Sequence, residues 1–180
     1  DGRTAYFAAL RKLWRKELSG GEPRRVTSSV DEHESQPRLV SSDSQLLFTT
    51  WNDQDLGSIR LQSLASGEQT VLVEKGRFAS PALSPDGLKL VYLRLPGQPL
   101  FSSLYTASPG LFLLDLARGM AAPQLISPPG FDPHFGSDPD VLYYVRRGDP
   151  TQLVRRDLAT SEERVLFQGK DLTTKGCRKS

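Results

Sequence analysis

The chain is 180 residues long, with 37% apolar and 24% charged residues, 15 glycines and 13 prolines. That is one ordinary domain or a piece of a repeat array, too apolar and too near neutrality for a disordered charged tail. A net charge of +2 supplies no concentrated basic face, so neither a nucleic-acid partner nor an anionic membrane surface is implied.

No run of 18 or more apolar residues occurs, so no membrane insertion by a helix is expected. The first residues, DGRTAYFAALRKLW, lack the basic, apolar and small-residue order of a signal peptide, and say nothing of what precedes them. The single cysteine, Cys177, excludes an intramolecular disulfide and a multi-cysteine zinc site. No cofactor or metal is implied.

Taken in chain order, the predicted elements repeat. One template recurs: a proline, a short stretch, a small polar turn, then an apolar run ending in an aromatic. It reads PRLVSSDSQLLF from Pro37 to Phe48, PALSPDGLKLVY from Pro81 to Tyr92, and PHFGSDPDVLYY from Pro133 to Tyr144. The opening DGRTAYF is the second half of the same template. Phe7, Phe48, Tyr92 and Tyr144 thus share a column. Downstream, LWRKEL (13–18), IRLQSL (59–64), LFLLDL (111–116) and LVRRDL (153–158) align. After a small turn come EPRRVT (22–27), EQTVLV (68–73), APQLIS (122–127) and EERVLF (162–167).

Each unit is about 42 residues with four short strands, A to D, separated by Gly, Pro, Ser and Asp turns. The B segments are almost continuously apolar, which means burial on both faces. The C and D segments carry charges such as Arg15, Arg60, Arg155 and Arg156, so they reach solvent. A four-stranded sheet between two similar sheets has this gradient, and it is a blade of a β-propeller. The fold class is therefore all-β, about four four-stranded antiparallel blades spanning 1–167. The repeats run about 1–27, 36–73, 80–127 and 132–167, with a polar tail over 168–180. ALRKLWRKEL (9–18) has good helix formers, but its aligned copies are strand-like, so a strand is predicted there.

SPDGLKLVY (84–92), preceded by Pro81 and followed by LFLLDL, resembles the WD40-like repeat of TolB-type propellers. The same repeat occurs in tricorn-type proteases, prolyl-oligopeptidase-like peptidases and the N-terminal propellers of secreted amidohydrolase-like proteins. Leu13-Trp14, GGEPRRVT (20–27), QPRL (36–39) and FTTWNDQD (48–55) resemble the last group most. SSDS in the second repeat and GSDP in the fourth depart from the Ser-Pro-Asp-Gly pattern but keep turn-forming composition. The Asp-Gly pair makes the A–B hairpin turn, a structural role in which glycine accepts a positive φ. The resemblance implies export to the periplasm or cell surface, and a protein partner or an adjacent catalytic domain.

The first repeat lacks strand A, and the tail QGKDLTTKGCRKS has no pattern to supply it. An incomplete array, about three and a half blades of a longer protein, is the expectation. In an A–B–C–D meander the B–C loops and the D–A links lie at one end, where loop lengths vary and function is ordinarily carried. Two such segments form the candidate site: Asp31, Glu32, His33 and Glu34, with Trp51, Asn52, Asp53 and Asp55. They offer a polar recognition surface or a cation site; as a charge run they equally suit a solvated loop. NDQDLG lacks the ligand phase of a calcium loop. His134, on the innermost strand of the fourth repeat, is placed to face the channel, or stands there by chance. The 94–110 insertion, with Leu100, Phe101, Leu104 and Tyr105, suits docking onto a neighbouring domain or capping its own blade edge.

No G-x-S-x-G, H-E-x-x-H, P-loop or G-x-G-x-x-G occurs, and no catalytic residue is assigned. Two readings lead: a non-catalytic propeller segment of an amidohydrolase-like or peptidase-like hydrolase, docking or positioning substrate, and a TolB-like protein–protein interaction module; an enzyme working at the propeller mouth ranks last, since no nucleophile, metal set or general-base pair is evident. Either way, Tyr92 is expected to be buried between neighbouring blades.

Overall fold

The computed structural model describes residues 2–40, 44–96, 109–119 and 122–169. Most of the 94–110 insertion, the tail with Cys177, and Ser41–Asp43 of the second repeat's turn lie outside them. Among the described residues there are fifteen strands and no helix. They form four antiparallel sheets, each built from strands consecutive in sequence. Blade 1 has three strands, β1 (Thr4–Ala9), β2 (Lys12–Glu17) and β3 (Arg24–Arg25), which are B, C and D. Blade 2 has β4 (His33–Val40), β5 (Gln45–Asn52), β6 (Leu56–Ser63) and β7 (Gln69–Gly76). Blade 3 has β8 (Phe78–Leu83), β9 (Lys89–Arg94), β10 (Gly110–Asp115) and β11 (Gln124–Ser127). Blade 4 has β12 (Gly130–Phe135), β13 (Val141–Arg146), β14 (Thr151–Asp157) and β15 (Glu163–Gly169). Lys12–Glu17 is a strand, paired residue by residue with β1, as its aligned copies require.

The continuous apolar runs of the B strands resolve into two alternating sets. In β5, Leu46 and Phe48 meet Leu13 of blade 1, while Leu47 meets Leu90 and Tyr92 of blade 3. In β9, Leu90 and Tyr92 look back to blade 2, and Val91 looks forward to Leu142 and Tyr144 of blade 4. Period-two geometry puts neighbouring residues on opposite faces, so the central residues of β5 and β9, which have a blade on each side, are buried in both directions. The aromatic column Phe48, Tyr92 and Tyr144 is almost wholly buried, each burial contributing roughly 1.5–3 kcal/mol. Tyr92 sits edge-on to Phe78 and stacks on Phe112 at 6.0 Å.

The outer faces differ. Leu13, Ile59 and Leu111, which open the aligned C segments of blades 1 to 3, are fully buried, whereas the aligned Leu153 is only half-buried. Phe7, at the head of the aromatic column, is likewise half-buried. Among the described residues no sheet covers the outer face of blade 1 or of blade 4.

The Asp-Gly hairpin is seen in blade 3. Asp86 accepts hydrogen bonds from the Ser84 hydroxyl (2.5 Å) and the Leu88 amide (3.0 Å), and Gly87 has φ 75°. The Ser84 bond, then the Leu88 amide, hold the Asp86 carboxyl below its ordinary range.

Candidate functional site

The D–A links and B–C loops do share one end. His33 lies opposite Trp51 in the β4–β5 register, so the two candidate segments meet there. Their side chains then divide. Glu34 is buried. Its carboxylate accepts from the Leu13 amide (3.1 Å) and the Thr27 hydroxyl (2.5 Å), with Arg25 at 4.0 Å. It ties blade 1 to blade 2. Glu32 forms an ion pair with Arg60, whose other terminal nitrogen donates to it at 2.9 Å. The link between them is clamped by Lys12, whose ammonium donates to the carbonyls of Ser29, Val30 and Glu32, each at 2.8 Å.

The second segment is held by its own contacts. The Asn52 side chain accepts from the amides of Gln54 and Asp55, and its nitrogen donates to Asp55 at 3.1 Å. Trp51 donates its indole N–H to Asp53 (3.1 Å) and carries the Arg77 guanidinium 5.6 Å from its ring. Asp31 and His33 are exposed. Among the described residues no group of three His, Cys, Asp or Glu is placed to hold a metal ion.

A second constellation lies on the innermost strands. β4, β8 and β12 each carry a bulge, at Ser35/Arg38, Ala79/Ala82 and Phe131/His134. Each bulge is a residue–proline pair, Gln36-Pro37, Ser80-Pro81 and Asp132-Pro133, and the leading residues have φ of 55°, 47° and 51°. A non-glycine residue there is uncommon, and conformations of this kind cost of order 1–3 kcal/mol each. A bulge bends its strand and re-aims its side chains. The Gln36 side-chain oxygen, Oε1, accepts from the Ser80 backbone amide at 2.6 Å, linking blades 2 and 3. Arg38 reaches from blade 2 to blade 4, 3.6 Å from Asp132 and 3.4 Å from both the Pro133 carbonyl and His134 Nδ1. His134 Nε2 is 3.3 Å from Asp132.

Sequence reading missed Arg38, Gln36, Ser80 and Asp132. The only trace they leave is the proline column that follows three of them. His134 was placed on its strand, and it faces Arg38.

At the opposite end a cleft of about 350 Å³ lies between blades 3 and 4, lined by Lys89, Asp115, Arg118 and Asp140. Lys89 pairs with Asp140 at 3.1 Å across it. On the outer edge, Glu163 binds the Tyr144 hydroxyl (2.7 Å), Arg146 (2.8 Å) and Arg156 (2.8 Å). Burial works to raise its carboxyl, but the Tyr144 bond and the two arginines outweigh it and hold it below the ordinary range.

Solved structures share this fold. A putative TolB from Agrobacterium tumefaciens matches with TM-score 0.69 and 16% identity, over 93% of this chain and 62% of that one. The fold is a TolB-like β-propeller. A Mycobacterium tuberculosis puromycin-hydrolyzing peptidase matches with TM-score 0.62 and 16% identity, over 92% of this chain and 29% of that one. The propeller domain of the trilobed protease from Pyrococcus furiosus matches with TM-score 0.58 and 17% identity, over 79% of this chain and 44% of that one. The chain thus spans less than two thirds of each. No family model matches the sequence, and no curated protein matches it.

Proposed function

We propose that this chain is a non-catalytic propeller segment of a larger hydrolase, amidohydrolase-like or peptidase-like, exported to the periplasm or cell surface. It docks against the catalytic domain and positions substrate at the loop end. The observation that carries this reading is how that end uses its acids. Glu34 and Glu32 are struts to blade 1 and to Arg60, and Asn52, Asp53 and Asp55 shape one turn. Carboxylates committed in this way build a rigid wall rather than an acid–base pair. The exposed Asp31 and His33, beside Trp51, are the groups left to touch a partner.

The test is the parent reading frame on both sides of this segment. The expected result is further repeats and a catalytic domain bearing a metal or serine motif. In that protein Trp51→Ala raises KM while kcat holds, the mark of lost uniform binding. The second reading, an interaction module, draws on the same patch, the exposed Asp31 and His33 beside the half-buried Trp51. A frame that adds only a small upstream domain transfers the assignment to it.

A further inference from the structure

The bulges of β4, β8 and β12 recur at one position in three successive blades, each at the expense of an unfavourable backbone. Around them stand five polar residues: Gln36 and Ser80 join blades 2 and 3, while Arg38, Asp132 and His134 keep solvent-exposed side chains. We infer that this channel wall is a carboxylate-binding site, anchored by Arg38, that receives the acidic side chain of an extended peptide.

The anchor is reachable and loosely held. The side chains of Arg38, Asp132 and His134 are 30%, 53% and 57% exposed. The contacts among them, and to the Pro133 carbonyl, lie between 3.3 and 3.6 Å. Well-made charge-assisted bonds are about 2.7–2.9 Å, so a carboxylate with free approach makes a better partner for the guanidinium than Asp132 does. His134 Nδ1 lies against Arg38, which can only donate, and Nε2 lies against Asp132. When an incoming carboxylate takes the guanidinium edge in a bidentate fork, Asp132 keeps the imidazole N–H. Beside them Pro81, Ala82 and Pro133 are buried and Ser80 is half-buried, so the groups within reach of a ligand are the side chains of Arg38, Asp132 and His134. The choice of a peptide as the acid's carrier follows from the peptidase-like reading. The inference deepens the substrate-positioning reading and rests on it for the claim that the channel admits a ligand.

The experiment is calorimetric titration of the full-length protein with three probes: a blocked tripeptide with a central glutamate, its glutamine counterpart, and a trigalacturonate. The glutamate peptide binds about ten-fold or more tighter than the glutamine peptide, the size expected of one charge-assisted contact. Arg38→Gln abolishes that difference and Arg38→Lys reduces it. In the unsubstituted protein, the His134 imidazole resonances shift with the glutamate peptide, a readout independent of how any variant folds. Equal binding of the two peptides, no binding, unmoved His134 resonances or an indifferent Arg38→Gln each overturns the site. Preference for trigalacturonate overturns the peptide as its ligand. The parent reading frame is decided separately, so either idea can fail without the other.

Discussion

Tyr92 and Tyr144 occupy the same column of adjacent blades, and replacing each by phenylalanine should move stability in opposite directions. Both rings are buried, and burial raises both phenols. Their hydroxyls differ. Tyr144 donates to Glu163 at 2.7 Å. Among the described residues none lies in hydrogen-bond geometry to the buried Tyr92 oxygen; Arg94 is close enough to act on it in part, through its charge and its side-chain N–H groups. The cause is in the repeat: the residue aligned with Glu163 in blade 3 is Pro123, which has no acceptor to offer. An unsatisfied buried hydroxyl costs about 1–3 kcal/mol. Tyr92→Phe removes that penalty and keeps the ring contacts with Phe78 and Phe112, so it should stabilise by about 1 kcal/mol, the low end, because of Arg94. Tyr144→Phe loses a real bond and should cost about 0.5–1.5 kcal/mol. Tyr92→Ala, which empties the space between blades 2 and 3, should cost about 3–5 kcal/mol. Urea unfolding of the three variants reads this as a midpoint shift at constant slope. Destabilisation by Tyr92→Phe, or a Tyr92→Ala cost below about 1 kcal/mol, would refute the packing described.

Three further outcomes are expected. Glu163 has a lowered carboxyl in the fold, so its contribution is complete above about pH 4.3, the unfolded value. That contribution is lost as pH falls through the folded value. Thermal melts of Glu163→Gln should show a flatter acid limb, and an unchanged limb would exclude the residue as its source. Glu34→Ala strands the Leu13 amide and the Thr27 hydroxyl and should cost about 2–3 kcal/mol; a loss under about 0.5 kcal/mol in denaturant titration would mean that the blade 1–blade 2 junction does not depend on it. Gly57→Ala places a Cβ 2.4 Å from the Gly76 carbonyl and 2.8 Å from that of Thr50. Both are backbone, so overpacking of about 1–3 kcal/mol follows, visible as a lower melting temperature.

The blades were legible because their signals are local and repeated. The template fixes the hairpins, the aromatic column fixes which face of each B strand looks back, and continuous apolar runs announce burial on both sides. The candidate site was less legible. Glu34 reads as part of a charge run, yet its fate is set by Leu13 and Thr27, which belong to another repeat. β4 begins at His33, ahead of the template's proline, because the blade 1 edge gives it a partner: the Glu34 amide donates to the Arg11 carbonyl at 2.9 Å. The residue before each proline is Gln, Ser or Asp, with no shared side chain to mark the left-handed backbone they hold in common. Arg38 meets residues more than 90 positions away, and no periodicity reports such a contact.

Because every sheet is assembled from strands adjacent in sequence, each blade completes its strand ladder without borrowing a strand from another. Energetically such an array approximates a row of units coupled to nearest neighbours. A lesion in blade 2 loosens one sheet and two junctions, and leaves the Val91–Leu142–Tyr144 junction between blades 3 and 4 nearly intact. The short separations also spare the chain long loop closures, which favours rapid formation of each blade. Among the described residues Arg38 skips a blade to touch Asp132 and His134, so the channel wall is where distant parts of the chain have reason to fold in concert.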